Sequence, residues 1–377
     1  MEYVVSTDEE KKIRERLEKR EDTDALRMNR NLKLPDLSRT PRHPLQELVE
    51  RARATSALKN LDNIIIPEIV PADLAFDLFD FAPDHPARSQ SDTYWTDEKN
   101  ILRPHDTVMW YYYLHLPEVR ERIARHEPVG CVCYGKVYRK DEIDSRHMNV
   151  FHQFGGWYLQ PDSMGVMPLD ELKKVLSEVV EGLFGKATEY RFLDDTFPYT
   201  DPSLQVEVKV GDRWIEILGG GMPKKTVLKN MGVTGYNGWA FGFGLERLAI
   251  ISMQLPDIRL LWSQDPRVIS QLKLDKKFKE VSKYPAVVRD ISFIVKSDFS
   301  PNNYFDLIRE TVGEDLVEEV KLLDTYANPK KFGEGNVSYT YRILYRSLEK
   351  TLTNNEVDIL HKKLEEATVA QYGAQVR

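Results

Sequence analysis

Arginines beside flat aromatic rings, facing acids and glycine-rich turns are residue types from which a phosphate- and purine-binding site is built, and this chain has all of them. In GKVYRKDEIDSRHMNVFHQFGG a strand over Lys136–Arg139, a polar loop and a second strand over Val150–Phe154 spell a hairpin. Arg139 offers a phosphate a rigid fork of donors, and Phe151 offers a purine a flat face. The alternative is a surface hairpin with a core phenylalanine. In GWAFGFGLERLAI, Gly242 and Gly244 turn into a helix beginning near Leu245 and set Arg247 in its first turn. A phosphate there meets free backbone N–H groups and a guanidinium together. The stretch is no dinucleotide fingerprint, because Arg247 stands where the third glycine belongs and no βαβ unit with a following acid accompanies it.

In VEVKVGDRWIEI a turn at Gly211-Asp212 pairs Val210 with Arg213, which places Glu207 opposite Glu216. Two like charges across a ladder destabilise a sheet unless something neutralises them. A divalent cation with oxygen ligands, such as Mg²⁺ carried in by ATP, does so. Solvation of both acids, or a register shifted by one, is the plain alternative. ILGGGMPK then brings Gly219, Gly220 and Gly221 in a row. They either let a ligand approach the backbone closely or mark a tight bend.

The elements that must position these residues follow from the patterning. Residues 1–44 read as a charged helical arm ending in a proline-bearing linker. HPLQELVERARATSALKNL has helical spacing, with Leu45, Leu48, Val49 and Ala52 on one face, and NIIIPEIV is a short buried strand interrupted by Pro67. Strand-rich segments continue to residue 265, with one clear helix, LDELKKVLSEVVEGLFG, closed by Gly185. A lysine-rich linker over 266–282 leads into 283–377, where strand, helix, strand, strand, helix succeed one another. That order predicts a small ferredoxin-like α+β domain, and the fold class of the whole chain is α+β.

Composition narrows the classes. The chain is 41% hydrophobic and 30% charged, ordinary for a soluble protein. Cys131 and Cys133, one residue apart, would face the same side of a strand as small fillers, with neither disulfide nor zinc-site spacing. The acid-bearing N-terminus is unlike a signal peptide or an uncleaved mitochondrial presequence. No apolar run nears the length of a membrane span, so no membrane partner is expected. A net charge of -7 speaks mildly against nucleic acid, although phosphate binding depends on local patches.

In this order the segments resemble the signature motifs of class II aminoacyl-tRNA synthetases: motif 2 in the Arg139/Phe151 hairpin, motif 3 in the Glu246-Arg247 turn, and motif 1 in the helix, strand and Pro67. HPAR (His85–Arg88), LRPH (Leu102–His105), FPYTDPS (Phe197–Ser203), WIEILGGGM and GWAFGFGLERLA resemble the phenylalanyl-tRNA synthetase family. The C-terminal part resembles its ferredoxin-fold anticodon-binding domain, and both parts on one chain resemble the single-chain, organellar type. The implied fold is a class II antiparallel sheet flanked by helices over 45–265, plus the anticodon-binding domain over 283–377.

The resemblance implies ATP-dependent activation of phenylalanine and its transfer to the terminal ribose 2′-OH of tRNA(Phe), with Mg²⁺ as cofactor. Arg139 would bind the α-phosphate, Arg247 the γ-phosphate, Phe151 the adenine, and His147 would assist the phosphates. Glu207 and Glu216 would hold the metal. His105, Thr107, Asp141, Gln153 and Gly220 would surround the amino acid's polar groups, and Trp239 and Phe241 its ring. Arg342, Arg346 and Lys350 are the candidates for tRNA phosphates, with an ordinary solvated face as the alternative. A monomer is favoured over a homodimer, and the cytoplasm over the mitochondrial matrix. One position departs from the family: its pattern FHQ-x-Glu-Gly reads FHQFGG here, so Gly155 replaces a carboxylate that helps bind the substrate ammonium. Either Asp141 and Gln153 compensate, or the substrate differs from ordinary phenylalanine. Gly155→Glu is therefore expected to lower the phenylalanine KM.

Overall fold

The computed structural model describes residues 1–142, 144–279, 284–313 and 315–377. The chain divides into two compact units. The first comprises Met1–Tyr138, Val150–Gln254 and Leu272–Lys277, the second Arg139–Asn149, Leu255–Gln271 and Phe278–Arg377.

The first unit runs β1 (Glu2–Val4), α1 (Asp8–Glu18), α2 (Thr23–Lys33), α3 (Pro44–Arg53), β2 (Asp62–Ile65), β3 (Ile69–Pro71), α4 (Ala72–Ala75), β4 (Asn100–Leu102), α5 (Met109–Leu114) and α6 (Pro117–Ala124). It continues with β5 (Val129–Tyr138), β6 (Val150–Pro161), α7 (Leu169–Phe184), β7 (Tyr190–Phe197), β8 (Thr200–Val210), β9 (Arg213–Pro223), α8 (Lys225–Asn230), β10 (Tyr236–Gly244) and α9 (Leu245–Met253). Eight strands form one sheet in the order β1-β2-β5-β6-β10-β9-β8-β7. The expected antiparallel sheet is antiparallel from β5 to β7, but β1/β2 and β2/β5 are parallel, so the sheet is mixed. Parallel neighbours need long crossovers, and here helices supply them.

The N-terminal segment is likewise more than an arm. β1 adds an edge strand, and Ile13, Leu17, Ala25 and Met28 of α1 and α2 are buried. Thr7 and Asp22 cap the two helices by accepting from Glu10 N and Ala25 N, contacts whose loss costs about 1 kcal/mol each. α3 buries Leu45, Leu48, Val49 and Ala52 as its spacing demands. Gly185, at φ 89°, ends α7 in a conformation a Cβ would strain.

Cross-strand partners share a face of a sheet, and the register therefore sorts every side chain. Phe151, Gln153, Gly155 and Trp157 of β6 face the same side as Ala240, Gly242 and Gly244 of β10 and Cys131 and Cys133 of β5. Gly219 and Gly221 of β9, then Ser203, Gln205 and Glu207 of β8, continue that face. Residues 106–113 cover part of it, with Trp110 stacked on Trp157 at 4.7 Å. Cys131 accepts from Trp157 Nε1, and burial pushes the Cys133 thiol up to about 12. Both are inert fillers on one side of a strand.

In the second unit α10 (Pro266–Ile269) precedes β11 (Val287–Lys296), α11 (Pro301–Val312), β12 (Val317–Ala327), α12 (Pro329–Phe332), β13 (Asn336–Tyr345), α13 (Asn354–Tyr372) and β14 (Gln375–Val376). The sheet order is β12-β13-β11-β14, all antiparallel. With β14 the pattern completes the βαββαβ ferredoxin-like arrangement; a two-residue edge strand leaves too little periodicity to read from sequence. Ile291 and Phe293 pack with Tyr304, Tyr341, Val357 and Leu364 in its core. Thr353 and Glu356 form a capping box at the start of α13. The expected linker over 266–282 contains α10, its residues 272–277 group with the first unit, and its last three residues, 280–282, lie outside the described residues.

Candidate active site

The sheet face of Gln153 carries a run of glycines, and other residues occupy the space their side chains would take. A Cβ on Gly155 would lie 2.5 Å from Asp106 Oδ2, and one on Gly242, its cross-strand partner, 3.8 Å from Asp106 Oδ1. A Cβ on Gly219 would lie 2.6 Å from the Phe197 ring, and one on Gly221 2.5 Å from Thr200. At Gly155, Gly219 and Gly221 a Cβ would force a neighbour to move, so glycine is needed there for room, whereas at Gly242 it would make ordinary contact. The result is a bare floor of peptide backbone, walled by a carboxylate and aromatic rings.

Asp106 opens the short helical turn that leads into α5, and it is 4% exposed. Its N–H donates to Gln153 Oε1 at 3.0 Å, which orients the Gln153 amide and leaves its N–H₂ to donate elsewhere. His105 precedes it, with Nε2 3.1 Å from Ala75 O and its ring stacked on Phe81. Tyr199 packs edge-on to Phe79 and Trp110 and stacks on Phe197. His105 and Thr107 are among the residues expected from the motifs, whereas Asp106 between them is not, and Phe197 and Tyr199 carry no expected role.

The register does not bring Trp239 and Phe241 to Gln153. Their partners are Tyr158 and Gly156, on the opposite face. Both are buried there, Trp239 stacked on Tyr158 and Phe241 packed against Phe154 and Phe243. Side chains alternate along a strand, so Ala240 reaches the floor and its neighbours do not. Gly220 likewise turns its Cβ position toward Ala240 O and Phe241, while Gly219 and Gly221 face the floor. Gly155→Glu loses its rationale as a single change, because Asp106 already stands in the place the new side chain would enter.

Further along the same face, Phe151 sits opposite Val137. Arg247, in the first turn of α9, is 51% exposed and donates to Glu216 O at 3.2 Å. Glu246 beside it is buried and accepts from the N–H and Nδ1 of His152, while His152 Nε2 accepts from Leu37 N at 2.9 Å. One imidazole thereby ties α9, β6 and the segment before α3 together, which fixes where Arg247 starts. Glu207 pairs directly with Glu216, across the Gly211 turn at φ 61°. Arg191 donates to Glu207 Oε2 at 2.7 Å, and Arg247 Nη1 lies 3.8 Å from Glu216 Oε1. Cations thus relieve the like-charge pair. No cluster of three metal-ligating side chains is found among the described residues. Two facing carboxylates nevertheless suit Mg²⁺, which takes one or two protein acids and completes its shell with phosphate oxygens and water.

Arg139, Asp141 and His147 belong to the second unit. Arg139 N donates to Asn149 O, prolonging the hairpin by one pair. Asp141 Oδ1 accepts from Glu142 N, and the carbonyls of Asp141 and Glu142 accept from Arg309. His147 Nδ1 lies 2.8 Å from Asp144 Oδ2. The three residues expected to face tRNA are each paired with an acid: Arg342 with Asp290, Arg346 with Glu318 and Lys350 with Glu356.

Comparison with known proteins agrees with this geometry. Residues 27–272 match the family described as tRNA synthetases class II core domain (F), and residues 282–377 match the ferredoxin-fold anticodon binding domain. The chain is 36% identical to the chloroplastic/mitochondrial phenylalanine–tRNA ligase of Arabidopsis thaliana, over 85% of this chain and 70% of that one. It is 34% identical to the mitochondrial phenylalanine–tRNA ligase of Mus musculus, over 90% and 80%. With that of Saccharomyces cerevisiae it shares 30% identity over 89% and 88%. The chain belongs to the class II aminoacyl-tRNA synthetases, within the phenylalanine–tRNA ligase family.

Proposed function

We propose that this chain activates phenylalanine with ATP and transfers it to the terminal ribose 2′-OH of tRNA(Phe). The observation that carries the reading is a single sheet face. Phe151, Gln153, the glycine floor and Glu207 all lie on it, with Phe197 and Asp106 above it. In the first step a carboxylate oxygen of the amino acid attacks the α-phosphorus of ATP, and pyrophosphate leaves. Little proton transfer is needed; alignment and charge neutralisation supply the rate. Arg139 answers the charge on the α-phosphate and Arg247 that on the γ-phosphate, while Phe151 stacks on the adenine. His147 assists the phosphates. Glu207 and Glu216 would hold Mg²⁺, which draws negative charge from the phosphate oxygens. Gln153 donates to the substrate carboxylate, with His105 and Thr107 beside it. Phe197 and Tyr199 present aromatic faces to the substrate ring.

The relatives named mitochondrial or chloroplastic favour the mitochondrial matrix over the cytoplasm as its compartment. No helix among the described residues is long and apolar enough to cross a membrane. The monomer remains the favoured state. Amino-acid-dependent pyrophosphate exchange against all twenty amino acids, with and without tRNA, tests the reading. Exchange with phenylalanine alone supports it; exchange with none would leave a tRNA-binding module without the chemistry.

A further inference from the structure

An amino acid differs from a simple carboxylic acid by its ammonium group, and a site that selects amino acids must meet that charge. Gln153 turns donors toward the ligand, and Asp141, the acid expected to help, is hydrogen-bonded within its own turn in the second unit. We propose that Asp106 supplies the carboxylate for the substrate α-ammonium, and that Gly155 is a glycine because this carboxylate occupies the space above it. The assignment rests on the proposed function and names a residue that reading leaves unassigned.

Three observations converge. Asp106 is buried on the floor's own face, next to Gln153 and between His105 and Thr107. One of its oxygens stands where a side chain on Gly155 would rise, 2.5 Å from the Cβ position, and the other faces Gly242, the cross-strand partner, at an ordinary contact distance of 3.8 Å. A β-sheet interior rarely gives up two facing side chains without a reason, since glycine weakens a strand. A buried carboxylate also needs a cation close by. Arg103, fully enclosed, is the structural candidate for that role. Burial opposes its charge, and among carboxylates Glu68 offsets this more than Asp106 does. Arg103 Nε meanwhile donates to Lys136 O. A glutamate at position 155 would rise from the sheet into the place where the Asp106 carboxylate already stands. Geometry therefore allows one or the other, not both.

The test uses the full chain and two ligands of one skeleton, L-phenylalanine and 3-phenylpropanoate, which lacks the amine. Binding of each is measured by calorimetry for the native chain and for Asp106→Asn. The native chain is expected to prefer phenylalanine by about 10- to 100-fold, the scale of a charged hydrogen bond. In Asp106→Asn that preference should collapse to within about 3-fold, with the ATP KM changed by less than about 2-fold. A purely structural carboxylate would weaken both ligands alike and leave the preference standing, which would overturn the assignment. The exchange variant gives a second arm that does not depend on the first. Gly155→Glu alone should lose phenylalanine binding, and Gly155→Glu with Asp106→Ala should regain the preference. Failure of the double variant to regain it, with the fold intact by circular dichroism, also counts against the assignment. No pyrophosphate exchange by the native chain with any amino acid would instead overturn the proposed function, and this assignment with it.

Discussion

The two ends of one sheet face are built by opposite means. At the proposed nucleotide end, Arg247 and Glu216 are half exposed, 51% and 49%, and hold one another loosely. At the proposed amino-acid end, Asp106 is 4% exposed, and the floor beneath it is built mostly of glycine. The contrast follows from what each end must recognise. A triphosphate brings its own charge and metal, so it needs donors and acids that can adjust. A small amino acid offers few handles, so its site must enclose it and answer each polar group individually.

That contrast can be broken by experiment. The largest effect is expected at the exposed end: Arg247→Ala should lower kcat/KM for ATP in pyrophosphate exchange by about 100- to 1,000-fold, the scale of one lost charge-stabilising donor. A loss below about 5-fold would mean the phosphate grip lies elsewhere. Next, Gly155→Ala pushes a methyl against Asp106 and should raise the phenylalanine KM by about 10- to 100-fold, the scale of an overpacking penalty. An equal rise in the ATP KM would dissolve the distinction between the two ends. Glu216→Gln should raise the Mg²⁺ concentration needed for half-maximal exchange by about 10-fold; a Mg²⁺ titration that superimposes on the native one would remove this glutamate from the metal site. Last, Phe241→Leu trims the opposite face. It should lower the thermal midpoint by a few degrees, for a core loss of about 1 kcal/mol, and leave the phenylalanine KM within about 2-fold of native. A large KM change would place Phe241 in the ligand site after all.

The facing of Glu207 and Glu216 and the place of Arg247 in the first turn of α9 were legible in the sequence because their signals are local. Arg247 follows a glycine turn by three residues, and Glu207 faces Glu216 through a hairpin whose turn can be counted. The amino-acid end was legible only in pieces. Asp106 and Gly155 are far apart in sequence, and nothing in either neighbourhood says that one fills the space of the other. Trp239 and Phe241 misled because aromatic residues before motif 3 do line one side of a strand, and the sequence alone does not say which side. The Ala240 between them, small and unremarked, is the one that faces the floor. In the second unit, β11, β12 and β13 were readable from alternation, whereas β14 exists only through its pairing with Phe293 and Ile294.

The bare floor has a consequence for accuracy. What the substrate would rest on is main chain from three strands, and its shape is set by which residues happen to face up. Shifting β10 by a single residue against its neighbours would raise Phe241 or Phe243, according to the direction of the shift, into the place of Gly242. The choice of substrate is thus written into strand alignment during folding, before any ligand arrives. A misregistered molecule would be a blocked enzyme, not a careless one.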